Sequence, residues 1–328
     1  MKGTRVTMNT YVNTYRRTAS NKQKSKGKLL VQRVKKNWVL YIMLLPCITS
    51  YVIFSYVPMV GLLQAFKEFK FNMTIFESPW VGFKYFETFF NNYQAPELIR
   101  NTFIIGLIKI VLTFPFPVIF ALMLNEVRNE KFKRVTQTIS YLPHFVSWVV
   151  VAAIIERILA PNTGLINQVA KALGGTGETF FLMEEKYFYP IVFVSDIWKS
   201  IGWDSIIYLA AIEGIDPQLY EAARIDGANK AQEIVHVTIP GIRSTVGILF
   251  ILGLGNLISS GYEQIMLLRT PGNMSLADTL DVYVIQMGLL DGQYGYATAV
   301  GLIQGIVGLI LVYTANRISR ELTEISVW

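Results

Sequence analysis

Cysteine and histidine are nearly absent from this chain: Cys47, His144 and His236 are all it contains. A disulfide within the chain is therefore excluded, and a metal centre of the His/Cys kind has too few ligands, so no metal site is expected. Cys47 stands beside Pro46 in an apolar run and is expected to be a buried, inert thiol. Charge is scarce as well, at 16% of residues against 52% apolar, which is more oily surface than a soluble core of this size needs. Acidic residues are missing from residues 1–37, where eleven of the thirty Lys and Arg stand. Such a tail fits a cytoplasmic anchor or a contact with anionic lipid, so the net charge of +7 does not point to nucleic acid. The first apolar run begins late, is long and lacks a small-residue cleavage site, so no removable leader is expected. Gly27-Lys28 is followed by leucine, without the upstream glycine or the Ser/Thr of a nucleotide-binding loop. No nucleophile and base stand together in a recognisable motif, which disfavours a membrane enzyme.

What is abundant is apolar sequence in long blocks. A bilayer core of about 30 Å takes roughly 20 helical residues, and blocks of that order are read at residues 38–63, 101–124, 139–159, 187–211, 246–268 and 296–315. The expected fold is therefore an all-α integral membrane protein with six transmembrane helices. Residues 64–100 form a loop whose aromatics suit a folded piece at the interface. Alternating loops divide the basic residues unevenly, twenty on the side of both termini and seven on the other. The positive-inside rule then places both termini, and the loop after the fourth span, in the cytoplasm.

Polar residues inside the spans carry the next expectations. Lys109, with Pro115 and Pro117 nearby, must snorkel or face protein in a kinked second span. The fourth span is the least oily, interrupted by Asp196, Lys199 and Asp204. The three-residue spacing of Asp196 and Lys199 lets them pair. The same face, with Trp198 and Trp203, also suits a polar pathway lined by hydrogen-bonding groups and aromatic rings. In the fifth span, Asn256, Ser259, Ser260, Tyr262, Glu263 and Gln264 form a comparable polar run, for which helix-to-helix hydrogen bonding is the alternative. Gly301, Gly305 and Gly308 allow close helix packing, within the subunit or against another.

The stretch 217–240, PQLYEAARIDGANKAQEIVHVTIP, organises the rest. Asp216 is placed to N-cap a helix that starts at Pro217, and Gly227 to stop it in a left-handed turn. A second short helix, residues 228–236, is expected to run until Pro240 ends it. Glu221-Ala222-Ala223, then Gly227, then Val237 and Ile239-Pro240 resemble the EAA loop of permease subunits of binding-protein-dependent ABC importers. With Leu219, Tyr220 and Ile225-Asp226-Gly227-Ala228, the likeness is to the carbohydrate branch, specifically that of complex saccharides. Val237 and Ile239 depart from the usual Ile and Leu but remain apolar. Residues 294–299 give a weaker second match, and the resemblance covers roughly the last two thirds of the chain.

The resemblance implies a type I ABC importer permease fold with both termini inside. Its parts would be a basic cytoplasmic tail (1–37), an added first span with an external loop (38–100), and a five-helix core (101–328) containing the cytoplasmic EAA loop (213–245). It further implies a second homologous permease subunit, two ATPase subunits that bind ATP and Mg in place of any cofactor here, an extracytoplasmic solute-binding protein, and a saccharide as cargo in a bacterial cell membrane. Glu221, Ala222, Ala223, Arg224, Asp226, Gly227, Ala228 and Pro240 would couple to the ATPase. Asp196, Lys199, Trp203, Asp204, Asn256, Tyr262, Glu263 and Gln264 are the pathway candidates. The competing reading is a secondary transporter driven by an ion gradient through Asp196, Asp204 and Glu263.

Overall fold

A computed structural model describes residues 35–70, 72–255, 257–259 and 261–323. The basic tail up to residue 34, Asn256, Ser260 and the segment beyond residue 323 lie outside the described residues. Among the described residues there is no β-strand, only one antiparallel bridge between Lys67 and Trp80. The chain divides into two compact units, residues 1–63 and 64–328.

Helix α1, Trp38–Phe66, is apolar on every side, and Ala65 is its only buried residue. A helix that is oily all round matches lipid as its surroundings. Cys47 is exposed on it rather than buried. In the second unit, the stretch 64–100 expected to be a loop holds local contacts up to residue 90 and the start of a long helix from Ala95. Phe66 stacks on Trp80 with centroids 5.6 Å apart, and Lys67 Nζ donates to the carbonyls of Ile75 and Phe76. Helix α2, Lys84–Phe90, comes next and buries Phe89 against Leu98, Tyr283 and Tyr296.

The remaining elements are α3 (Ala95–Glu126), α4 (Glu130–Phe145), α5 (Trp148–Leu159), α6 (Leu165–Ala172), α7 (Glu185–Glu213), α8 (Pro217–Ile225), α9 (Lys230–Gly255), α10 (Tyr262–Leu268), α11 (Met274–Ala277), α12 (Leu280–Leu290) and α13 (Tyr294–Thr323). Three apolar clusters hold them together. One joins α2, the start of α3, α12 and α13; a second joins Ile105, Phe188, Val192 and Ile265; the third joins Ala121, Leu124, Tyr208, Ile212 and Ile242.

By length and composition, four described helices suffice to cross a membrane: α1, α3, α9 and α13. Two expected spans are not straight. Residues 139–159 break at Val146 and Ser147, where α4 and α5 meet at 101°. Pro143 in the final 3-10 turn of α4 and Ser147, whose Oγ caps α5, cause the break. Residues 246–268 also break, with α9 ending at Gly255 and α10 starting at Tyr262.

Conversely, Pro240 does not end its helix. A π turn, Ile234–Thr238, precedes it, and the Ile239 N–H reaches back to the Ile234 oxygen, so the helix continues to Gly255. The same device precedes Pro58, where Val57 bonds to Val52, and Pro115, where Phe114 bonds to Lys109. Widening the turn just before each proline re-satisfies backbone that its ring and missing N–H would disrupt.

Candidate functional site

Two places concentrate polar groups: the hairpin of α8 with the start of α9, and a cavity between α3, α7 and α9. The hairpin is built by local rules. Asp216 accepts from the Gln218 N–H at 2.9 Å, which N-caps α8. Gly227 adopts φ 82°, with its own N–H bonded to the Arg224 oxygen and the Ala228 N–H bonded to the Ala223 oxygen. That pair of bonds makes a Schellman turn, which glycine enters without steric cost. A side chain at Gly227 would meet nothing within 4 Å, so the constraint is backbone conformation, not space. Asn229 and Gln232 then form a capping box that starts α9.

Glu221, Ala222 and Asp226 are exposed on the hairpin, and so are two large apolar side chains, Leu219 (54%) and Ile225 (87%). Arg224 does not simply solubilise the loop. Its Nε donates to Glu233 Oε1 at 2.8 Å, and that carboxylate raises the guanidinium above its ordinary value, chiefly through the hydrogen bond. Glu233, only 3% exposed, also accepts from Lys230 Nζ at 2.8 Å. Lys230 in turn lies 3.6 Å from Glu126 at the end of α3. Tyr220 and Thr238 hydroxyls, 3.0 Å apart, tie α8 to the π turn of α9. Sequence reasoning passed over Glu233, Lys230 and Glu126. The only signal was an excess of opposite charges across the turn, and the partners are set by the fold.

The cavity, of about 450 Å³, is lined on α3 by Lys109, on α7 by Asp196, Ser200 and Asp204, and beyond α9 by Leu257 and Ser259. Asp196, Ser200 and Asp204 are spaced four residues apart and so share one face of α7. Close approach sets the wall: a Cβ on Gly106 would fall 2.0 Å from the Leu257 carbonyl oxygen. Lys109 faces protein, 3.3 Å from Asp196 and 2.9 Å from Gln264 Oε1.

The expected pair of Asp196 with Lys199 does not form. Lys199 instead donates to the carbonyls of Pro143, His144 and Val146. The break between α4 and α5 gathers these three carbonyls at one corner, where the Pro143 oxygen also accepts the Val146 N–H, and a cation with three donors serves all of them. Trp203 belongs to the same corner, stacked on His144 with centroids 4.5 Å apart, and does not line this cavity.

Gln264 is a buried tie rather than a lining group: its Nε2 donates to the Val192 carbonyl and to Ser195 Oγ, both at 2.9 Å. Tyr262 and Glu263 are exposed beside each other, their side chains 3.5 Å apart, away from the cavity. Of the pathway candidates, the cavity therefore brings together Asp196 and Asp204, and sequence reasoning missed that Lys109 completes them. Among the described residues, no group of three His, Cys, Asp or Glu side chains is placed to hold a metal ion.

Comparison with known proteins gives a consistent picture. The family model of the "Binding-protein-dependent transport system inner membrane component" matches residues 113–323. Protein LplB of Bacillus subtilis (strain 168) is 41% identical over 297 residues, 90% of this chain and 93% of that protein. The polygalacturonan/rhamnogalacturonan transport system permease protein YteP of the same organism is 40% identical over 303 residues, 92% of this chain and 94% of that protein. A crystal structure of a bacterial alginate ABC transporter in complex with an alginate pentasaccharide-bound periplasmic protein contains a similar chain. It superposes with a TM-score of 0.82 at 39% identity, covering 90% of this chain and 99% of that one.

Proposed function

Because the chain belongs to the family of binding-protein-dependent transport system inner membrane components, we propose that it pairs with a second, similar permease and two ATPase subunits to import a saccharide across a bacterial cell membrane. The chain is an ABC importer permease, a multi-pass membrane protein that is not itself an enzyme, and ATP is hydrolysed in partner subunits. Family membership displaces the gradient-driven reading, in which Asp196, Asp204 and Glu263 would have been ion-coupling groups. A solute-binding protein delivers the cargo; the alginate transporter, with its loaded periplasmic protein, supports that role.

Within this assembly, the exposed α8 seats in a groove on an ATPase subunit, with Leu219 and Ile225 as the apolar contacts and Glu221 and Asp226 at the rim. Both termini and the hairpin face the cytoplasm, as the charge asymmetry of the loops favours. Closing of the ATPases then moves α8, and with it α9, so that the cavity at Asp196 and Asp204 changes its access. The cargo is an oligosaccharide: both YteP and the alginate transporter are named for handling saccharide polymers.

The single observation that carries this reading is a capped, solvent-exposed helix, α8, ending in a left-handed glycine and presenting Ile225 at 87% exposure. The test is reconstitution of the chain with its co-purified partners in proteoliposomes. Loaded binding protein is expected to stimulate ATP hydrolysis and ATP-dependent uptake of an oligosaccharide. Uptake by the chain alone under an ion gradient would contradict the proposal.

A further inference from the structure

Glu233 is a carboxylate that the fold buries to 3% exposure and surrounds with cations from two different helices. Such burial is unfavourable unless the charge is fully paired, so Arg224 and Lys230 hold it in place as much as it holds them. Apart from the Gly227 turn and the Tyr220 to Thr238 hydrogen bond, the Arg224 to Glu233 pair is what fixes α8 against α9. Lys230 extends the link to Glu126, the last residue of α3, on the helix that also carries Lys109 of the cavity. Lys109 and Glu126 lie seventeen residues apart, which at a rise of about 1.5 Å per residue is about 25 Å along α3, counted through the π turn before Pro115.

We propose that Glu233 is a positioning residue for transport. Through Arg224 it sets the angle of α8, and through Lys230 and Glu126 it passes a displacement of α8 into α3 and so to the cavity. This rests on the proposed function, in which an ATPase subunit pushes α8. A chain of paired charged groups only transmits motion if breaking it changes the response of the far end, so the test must read the cavity itself.

The experiment uses the full assembly, co-expressed with its ATPase and permease partners, in a Cys47→Ala background with Ser200→Cys as a reporter in the cavity wall. The labelling rate of that thiol by a small charged methanethiosulfonate is measured with and without ATP plus vanadate. In the parent the rate changes when the ATPases are trapped. Glu233→Gln, which keeps the shape and removes the charge, is expected to shrink that change by about fivefold or more, while assembly on gel filtration and ATP hydrolysis persist. Arg224→Ala is expected to shrink the labelling change likewise, and the double variant no more than either, because the pair acts as a unit. A simple loss of fold would lower assembly, hydrolysis and labelling together.

A full parental response in both Glu233→Gln and Arg224→Ala overturns the proposal. Where Glu233→Gln does not assemble, Glu126→Gln cuts the outer link while sparing the bonds of Glu233 to Arg224 and Lys230; a reduced response in it supports the proposal and an unchanged one overturns it. A parent assembly with no ATP-dependent labelling change at all contradicts the transport reading, and the role of Glu233 with it.

Discussion

Lys109 shows how one side chain organises a polar centre within apolar surroundings. Its ammonium meets Asp196 at 3.3 Å and Gln264 at 2.9 Å, and Gln264 passes the bond on to Val192 and Ser195 of α7. Lys109→Met is expected to leave Asp196 without its cation and to lower the stability of the detergent-solubilised protein by about 2 kcal/mol, below the range for a fully buried pair because both side chains are partly open to the cavity. Adding Asp196→Asn should recover part of the loss, and thermal midpoints of the four proteins in the cycle read the coupling directly. Lys199→Met should be destabilising for another reason, at about 1–3 kcal/mol for the carbonyls at the corner of α4 and α5 that lose their cation; cargo-stimulated hydrolysis in the surviving fraction should be unchanged. A lone lysine in an oily span was visible in the sequence as a group that needs a partner. Which partner was not, since Asp196 and Lys199 satisfy a pairing rule on their own helix that the broken corner then overrides.

At the scale of elements, the hairpin was legible because its signals are local. Asp216, Pro217 and Gly227 each act within four residues of themselves, and the structure uses all three, while the Asn229 cap that starts α9 went unread. Gly227→Val should force a β-branched residue into the left-handed region at a cost of about 1–2 kcal/mol, abolishing transport per ATP hydrolysed while membrane insertion is kept. Gly227→Asn should retain most activity, because asparagine tolerates that conformation. Parallel uptake and hydrolysis assays of the two variants separate backbone conformation from mere loss of glycine. Helix ends governed by proline were less legible. Pro240 reads as a terminator, yet the π turn at Ile234–Thr238 carries the helix through it, as other π turns do before Pro58 and Pro115. Pro143, by contrast, does accompany a break, because Ser147 offers the next helix a cap. Periodicity cannot distinguish these cases, because the outcome is set by the turn before each proline and by whether a capping residue stands after it.

At the scale of the molecule, hydropathy located the four helices long and apolar enough to cross a membrane, and the breaks at residues 146–147 and between Gly255 and Tyr262 escaped it because both flanks remain oily. In the proposed assembly, the exposed apolar surface on α1 and along α3, α9 and α13 is what lipid and the second permease would cover. Detergent extraction that strips the partner is accordingly expected to leave a chain prone to self-association, measured as a shift to higher mass on light scattering. The central claim is that force enters this engineless subunit through α8. Ile225→Cys in a Cys47→Ala background, treated with a short thiol-to-amine crosslinker in native membranes, tests it most directly. The account predicts a product joining this chain to an ATPase subunit; a product with the solute-binding protein instead would contradict it.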